Sequence, residues 1–177
     1  MVCRRRGFTL YELLVTMLVA AMLLAFGVPS FAALMARQQQ RVEIDALFHA
    51  IHLARKESLM RRKVVSLCPS PDGRSCRPGT DWSQGWIMFE NSDRDWPPRV
   101  DDGEILLQQH TVGENVTIRA NRRGFTLRSV YLRATNGTFV VCDRYERIAA
   151  KALVVSYTGR PRVAATTSRG EPYSCAD

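Results

Sequence analysis

Histidine is scarce in this chain and catalytic motifs are missing. The three histidines, His49, His52 and His110, have no HExxH-like spacing, and there is no Gly-rich phosphate loop and no GxSxG elbow. The sequence therefore offers no recognisable enzyme centre, and neither catalysis nor a cofactor is expected. The five cysteines include no CxxC pair, which argues against a zinc site. Acids are outnumbered: 17 Asp and Glu face 25 Lys and Arg over 177 residues, a formal net charge of +8. That balance selects no fold, but it suits an anionic partner such as nucleic acid or a membrane surface. With 46% hydrophobic and 24% charged residues, the chain is neither a disordered tail nor a polytopic membrane protein. Its length fits one domain, or one domain with an extension.

The apolar residues are concentrated at the start. From Leu13 to Ala36, 24 residues run without a charge. As a helix they would span about 36 Å, enough to cross a hydrocarbon core of about 30 Å. A secretory signal peptide has a shorter apolar region, of about 7–15 residues. Arg4, Arg5 and Arg6 precede the run and place the N-terminus in the cytoplasm by the positive-inside rule. A plain membrane anchor accounts for all of this except Glu12, because a carboxylate in an apolar helix costs a few kcal/mol and marks a function or a partner.

Gly7-Phe8-Thr9-Leu10-Tyr11-Glu12 resembles the processing site of type IV pilins and type II secretion pseudopilins. The resemblance implies that a prepilin peptidase cuts between Gly7 and Phe8, that the new amine of Phe8 is methylated, and that Glu12 becomes the fifth residue of the mature chain. A neighbouring subunit's charged amine would then pair with the Glu12 carboxylate during assembly. Gly27-Val28-Pro29 resembles the family's helix-loosening site, where proline removes a backbone donor. The short motif alone is not specific, since Arg122 to Leu127 repeats Arg5 to Leu10 letter for letter without an apolar run behind it. Motif, basic leader, Glu12 and apolar helix together carry the resemblance.

The expected organisation is a leader over 1–7, a transmembrane and assembly helix over 8–36, an amphipathic helix over 37–62 and a β-rich domain over 63–177. Ile44, Leu47, Phe48, Ile51 and Ala54 form one apolar stripe, opposite Arg41, Asp45, His49, His52 and Lys56. Beyond Lys63, strands are expected at Val64–Leu67, Gly85–Phe89, Ile105–His110, Val116–Ala120, Phe125–Leu132, Thr138–Cys142 and Ala152–Tyr157. Asn136-Gly137, between two of these, signals a type I′ hairpin. Residues 91–103 read as a solvated acidic loop without EF-hand spacing.

Cys3 falls in the leader, which leaves Cys68, Cys76, Cys142 and Cys175 on the exported side, where disulfides form. Four cysteines permit three connectivities. We favour Cys68–Cys76, which closes a Pro/Gly/Ser-rich loop, and hence Cys142–Cys175, which pins the tail.

Leu67-Cys68-Pro69-Ser70-Pro71-Asp72-Gly73, followed by Asp81-Trp82-Ser83-Gln84-Gly85-Trp86-Ile87-Met88-Phe89, resembles the globular domain of GspH/FimT-type minor pilins. The implied fold is α+β: a type IV pilin-like chain whose long N-terminal helix packs on antiparallel sheet. Trp82 and Trp86 are better suited to its core than to stacking on bases.

Charge is unevenly spread. Residues 72–114 hold nine acids and four bases, whereas residues 119–169 hold eleven bases and two acids. In the basic part, Thr158-Gly159-Arg160-Pro161-Arg162 resembles the Gly-Arg-x-Arg motif through which FimT-type minor pilins bind DNA in natural transformation. The resemblance reaches Gly159, Arg160 and Arg162; charge alone adds Arg144, Arg147, Lys151 and Arg169 as candidates. Backbone capture without base readout is expected, since no recognition helix is present. The partners expected are DNA, other pilins, the prepilin peptidase and, before assembly, the inner membrane, with the globular domain periplasmic and later on the cell surface. The competing expectation is a structural minor pilin or type II secretion pseudopilin that primes assembly without touching DNA.

Overall fold

The computed structural model describes residues 9–128 and 133–175. Gly7 and Phe8, which carry the expected cleavage and methylation, lie outside the described residues, as does the last part of the expected strand Phe125–Leu132. The chain divides into two compact units, Met1–Met35 and Ala36–Asp177, and one helix, α1 (Leu10–Arg61), contributes to both.

In the first unit, Thr9 caps α1: its Oγ1 accepts from the Glu12 N–H at 3.3 Å, and its carbonyl accepts from the Leu13 N–H at 3.1 Å. Thr9-x-x-Glu12 is the spacing of a capping box. Further along, Thr16 and Ser30 turn their hydroxyls back to the carbonyls of Leu13 and Phe26, so neither leaves its donor unpaired on this apolar helix. The helix runs through Pro29. By length and composition it can cross a membrane, and its large apolar side chains in this unit are exposed.

In the second unit, α1 buries the expected stripe, with Leu47, Ile51 and Ala54 fully covered and Phe48 partly so. The opposite face, Arg41, Asp45, His49, His52 and Lys56, is exposed. The stripe packs against two antiparallel sheets. The first contains β1 (Val65–Pro69), β2 (Trp86–Glu90), β3 (Leu106–His110), β5 (Phe125–Arg128) and β6 (Arg133–Ala134), in the order β3-β2-β1-β5-β6. The second contains β4 (Val116–Ala120), β7 (Gly137–Asp143), β8 (Lys151–Val155) and β9 (Pro161–Ala164), in the order β4-β7-β8-β9. Trp82 and Trp86 are in the shared core, where Trp82 meets Phe139 edge-on at 4.9 Å and Phe125 stacks on Phe139 at 4.2 Å.

Polar side chains tie the helix to both sheets. Gln40 Nε2 donates to the carbonyls of Val141 and Ala149, at 2.9 and 3.0 Å. Glu43 accepts from the Gly113 N–H at 3.0 Å and lies 2.8 Å from His110 Nε2. At the helix end, Arg61 and Lys63 both reach the Glu90 carboxylate at 2.7 Å.

Three expectations need correction. Asn136-Gly137 is not a type I′ hairpin turn: such a turn needs positive φ at both residues, and neither has it. The pair is where the chain leaves the first sheet at β6 and enters the second at β7. Glycine is required at 137 for closeness, since a Cβ there would lie 2.7 Å from Asn121 Oδ1 and 2.8 Å from Arg122 Cγ. Residues 91–103 are more than a solvated loop, because Val100 packs on the outer cluster of Cys68, Ile87 and Phe89, and buried Asn91 donates to Ser66 Oγ at 3.0 Å. The strands at Arg133–Ala134 and Pro161–Ala164 fall outside those the sequence predicts.

Candidate functional site

β8 and β9 are joined by a tight turn over residues 156–160. The Ser156 N–H donates to the Arg160 carbonyl at 3.0 Å, the Gly159 N–H donates to the Ser156 carbonyl at 2.9 Å, and the Arg160 N–H donates to Ser156 Oγ at 3.1 Å. Gly159 has φ +72°, and a Cβ there would stand 3.2 Å from both Ala134 Cβ and Leu127 Cδ2. Glycine therefore satisfies both the backbone and the fit against β5 and β6. The Ala134 N–H donates to the Tyr157 carbonyl at 2.8 Å and fixes the turn to the end of the first sheet.

Pro161 opens β9, the edge strand of its sheet, where a missing donor is tolerated. It pairs with Val155 and is buried, whereas Arg160 and Arg162 on either side are exposed. Neither arginine makes an ion pair among the described residues. Two guanidiniums are thus presented from a braced turn, each with its planar fork of donors unspent.

The other basic candidates lie elsewhere. Lys151 begins β8 and pairs with Val141, four residues from Val155 and so about 13 Å from the turn. Arg144 and Arg147 follow β7 at that same far end of the sheet. Arg147 is spent on Asp143, with Nε and Nη2 at 2.9 and 2.6 Å from its two carboxylate oxygens. That guanidinium holds the Asp143 carboxyl below the usual range, against the opposing effect of burial, and its own pKa is raised in return. Arg144 lines an open recess shared with Asp81, Asp143 and Glu146. Arg169 is exposed in the tail beyond β9, in a turn closed by the Gly170 N–H on the Thr167 carbonyl at 3.0 Å. The structure does not bring these four together with Arg160 and Arg162.

It brings others instead. Arg55 from α1, Arg128 from β5 and Arg133 from β6 line one recess with Thr158 of the turn. These three sit in separate elements, 27 to 105 residues from Arg160 in sequence, so no local pattern marks them.

Both disulfides, Cys68–Cys76 and Cys142–Cys175, are formed. The first closes a loop in which Asp72 accepts from Ser75 and Ser70 hydroxyls and from the N–H groups of Ser75 and Arg74, which together hold its carboxyl far below the usual range. The second anchors the tail to β7. In the acidic loop, Asp93, Asp95 and Asp101 each bring an oxygen within 4.8 Å of the others. Burial, with Asp93 beside it, raises the Asp101 carboxyl.

An apolar N-terminal helix that continues as the spine of two antiparallel sheets, with a presented turn at the sheet end, defines a type IV pilin-like subunit. Residues 43–159 match the model of the family described as Type II transport protein GspH, and residues 3–28 match the prokaryotic N-terminal methylation motif. The chain belongs to the GspH family, the class of type IV minor pilins and type II secretion pseudopilins. Among solved structures it is similar to the type IV minor pilin FimU of Pseudomonas aeruginosa PAO1, with TM-score 0.51 and 21% identity over 76% of this chain and 98% of that one. It is similar also to the minor pseudopilin EpsH of the type II secretion system of Vibrio cholerae, with TM-score 0.51 and 10% identity over 71% and 96%. A comparison with curated protein sequences returns no match.

Proposed function

We propose that this chain is a minor pilin that binds extracellular DNA through Arg160 and Arg162 for uptake in natural transformation. The observation that carries the reading is the braced turn, which presents two exposed arginines, without an ion pair among the described residues, on either side of a buried proline. Each fork suits a phosphate oxygen pair, so capture is through the backbone and independent of sequence. One subunit has few contacts and binds weakly; several copies, or retraction of the filament, make capture effective. To reach the surface, the chain is cut after Gly7 by the prepilin peptidase, methylated on Phe8 and drawn from the inner membrane, its periplasmic domain leading. Glu12 then pairs with a neighbouring subunit's amine in the filament.

A second reading is favoured by the likeness to EpsH: a structural subunit that primes a pilus or secretion pseudopilus and has no DNA role. Replacing Arg160 and Arg162 together by Gln in the producing cell separates the two. The DNA reading expects transformation to collapse while filaments still form. Under the structural reading transformation is untouched, and only Glu12→Ala, which blocks assembly, has an effect.

A further inference from the structure

β5 and β6 place Arg128 directly opposite Arg133. Like charges facing each other across a strand pair repel. Among the described residues no acid offsets this pair: both side chains are exposed, neither makes an ion pair, and no acid lines the recess between them and α1. The intervening residues 129–132, Ser-Val-Tyr-Leu, contain no acid either. Arg55 enters the same recess from α1, so a third cation adds to the repulsion. Thr158, two residues before Arg160, lines the recess and makes it continuous with the turn. Arg133 is steadied over the ring of Tyr157, with its guanidinium carbon 5.4 Å from the ring centroid.

We propose that Arg55, Arg128 and Arg133 form a phosphate-binding cradle that takes a DNA backbone phosphate next to those held by Arg160 and Arg162. This rests on the DNA-binding reading of the turn. A phosphate at the mouth of this recess, whose interior of about 10 Å³ holds no more than a water, would turn a repulsive cluster into charge-assisted hydrogen bonds. Two signs of the same chemistry favour DNA over a lipid headgroup as the source. Arg55 lies 18 residues past Arg37, the first charge after the apolar segment, which is about 27 Å of helix. That is well beyond a headgroup layer of roughly 5–7 Å. The cradle also adjoins the turn, on a domain that would face outward from the filament.

The test is a titration of the full chain in neutral detergent micelles with a short duplex oligonucleotide, between about 50 and 200 mM salt. Wild type is compared with R128Q/R133Q, with R55Q and with R160Q/R162Q. The cradle predicts that R128Q/R133Q weakens binding several-fold and lowers the magnitude of the log–log salt slope by up to about 0.9, the value for one phosphate, that R55Q lowers it by less, and that thermal stability is kept. An unchanged affinity and slope in R128Q/R133Q, with both reduced in R160Q/R162Q, overturns the cradle and leaves the turn standing. The reverse pattern keeps the cradle and rejects the turn. No binding by wild type rejects both. Adding phosphatidylglycerol to the micelles tests the lipid source: displacement of DNA from wild type but not from R128Q/R133Q assigns the cradle to lipid and overturns the DNA assignment.

Discussion

Arg147 donates to both carboxylate oxygens of Asp143, and its own backbone N–H donates to the same carboxylate at 2.9 Å. The Asp143 side chain is 1% exposed, so the pair neutralises a buried acid at the end of β7. Arg147 is therefore a structural cation, although its charge and position in sequence place it with the DNA candidates. Arg147→Ala leaves Asp143 without its main partner and should lower Tm by several degrees, while DNA affinity changes far less than in Arg162→Ala. Paired thermal melts and DNA titrations of the two variants check this.

Gly159→Ala removes no charge, yet it should weaken DNA binding. Alanine at φ +72° is strained, and its methyl would press on Ala134 and Leu127 at 3.2 Å. The expected cost is about 1–2 kcal/mol, read in chemical denaturation. Arg160 moves with the turn, so affinity falls.

Acid should loosen the junction between α1 and the first sheet. Lys63 donates to the buried Glu90 carboxylate and lowers its pKa from 4.5, with Arg61 adding to the effect against the opposing desolvation. A carboxyl whose folded pKa is depressed stabilises the fold above its unfolded pKa, and the contribution fades as pH falls through the folded value. Stability should therefore decline below about pH 4.5, and in Glu90→Gln that part of the decline should be absent. Denaturation midpoints across pH 3–7 distinguish the two proteins.

Cys142 and Cys175, 33 residues apart, close the longer of the two disulfide loops. Replacing both by Ser should cost at most about 4 kcal/mol, against at most about 2.5 kcal/mol for the Cys68–Cys76 pair. The turn at 156–160 makes its hydrogen bonds without the tail, so DNA binding should survive the loss of Cys142–Cys175. Tm and affinity measured on both double-serine variants test the ranking.

Much of the fold is legible because burial imposes a period. The stripe from Ile44 to Ala54 reads at helical spacing, and the strands at Val65, Trp86, Val116, Gly137 and Lys151 fall on apolar runs. β6 and β9 escape because two and four residues, one of them Pro161, carry too little pattern. Asn136-Gly137 misleads because the same dipeptide that favours a hairpin also fits a crossing where Gly137 must touch Asn121. In the candidate site, Gly159, Arg160 and Arg162 are adjacent in sequence and could be seen together. Arg55, Arg128 and Arg133 could not, since only strand register and helix packing bring them to Thr158. The capture of Arg147 had a local sign, an acid four residues earlier, but that spacing carries meaning on a helix and this segment is a loop.

The most direct test of the central claim is the salt dependence of DNA binding by the full chain with and without Arg160 and Arg162. Two lost phosphate contacts should reduce the magnitude of the log–log slope by about 1.4–1.8 and weaken binding at every salt concentration. Superimposable lines for wild type and R160Q/R162Q would contradict it.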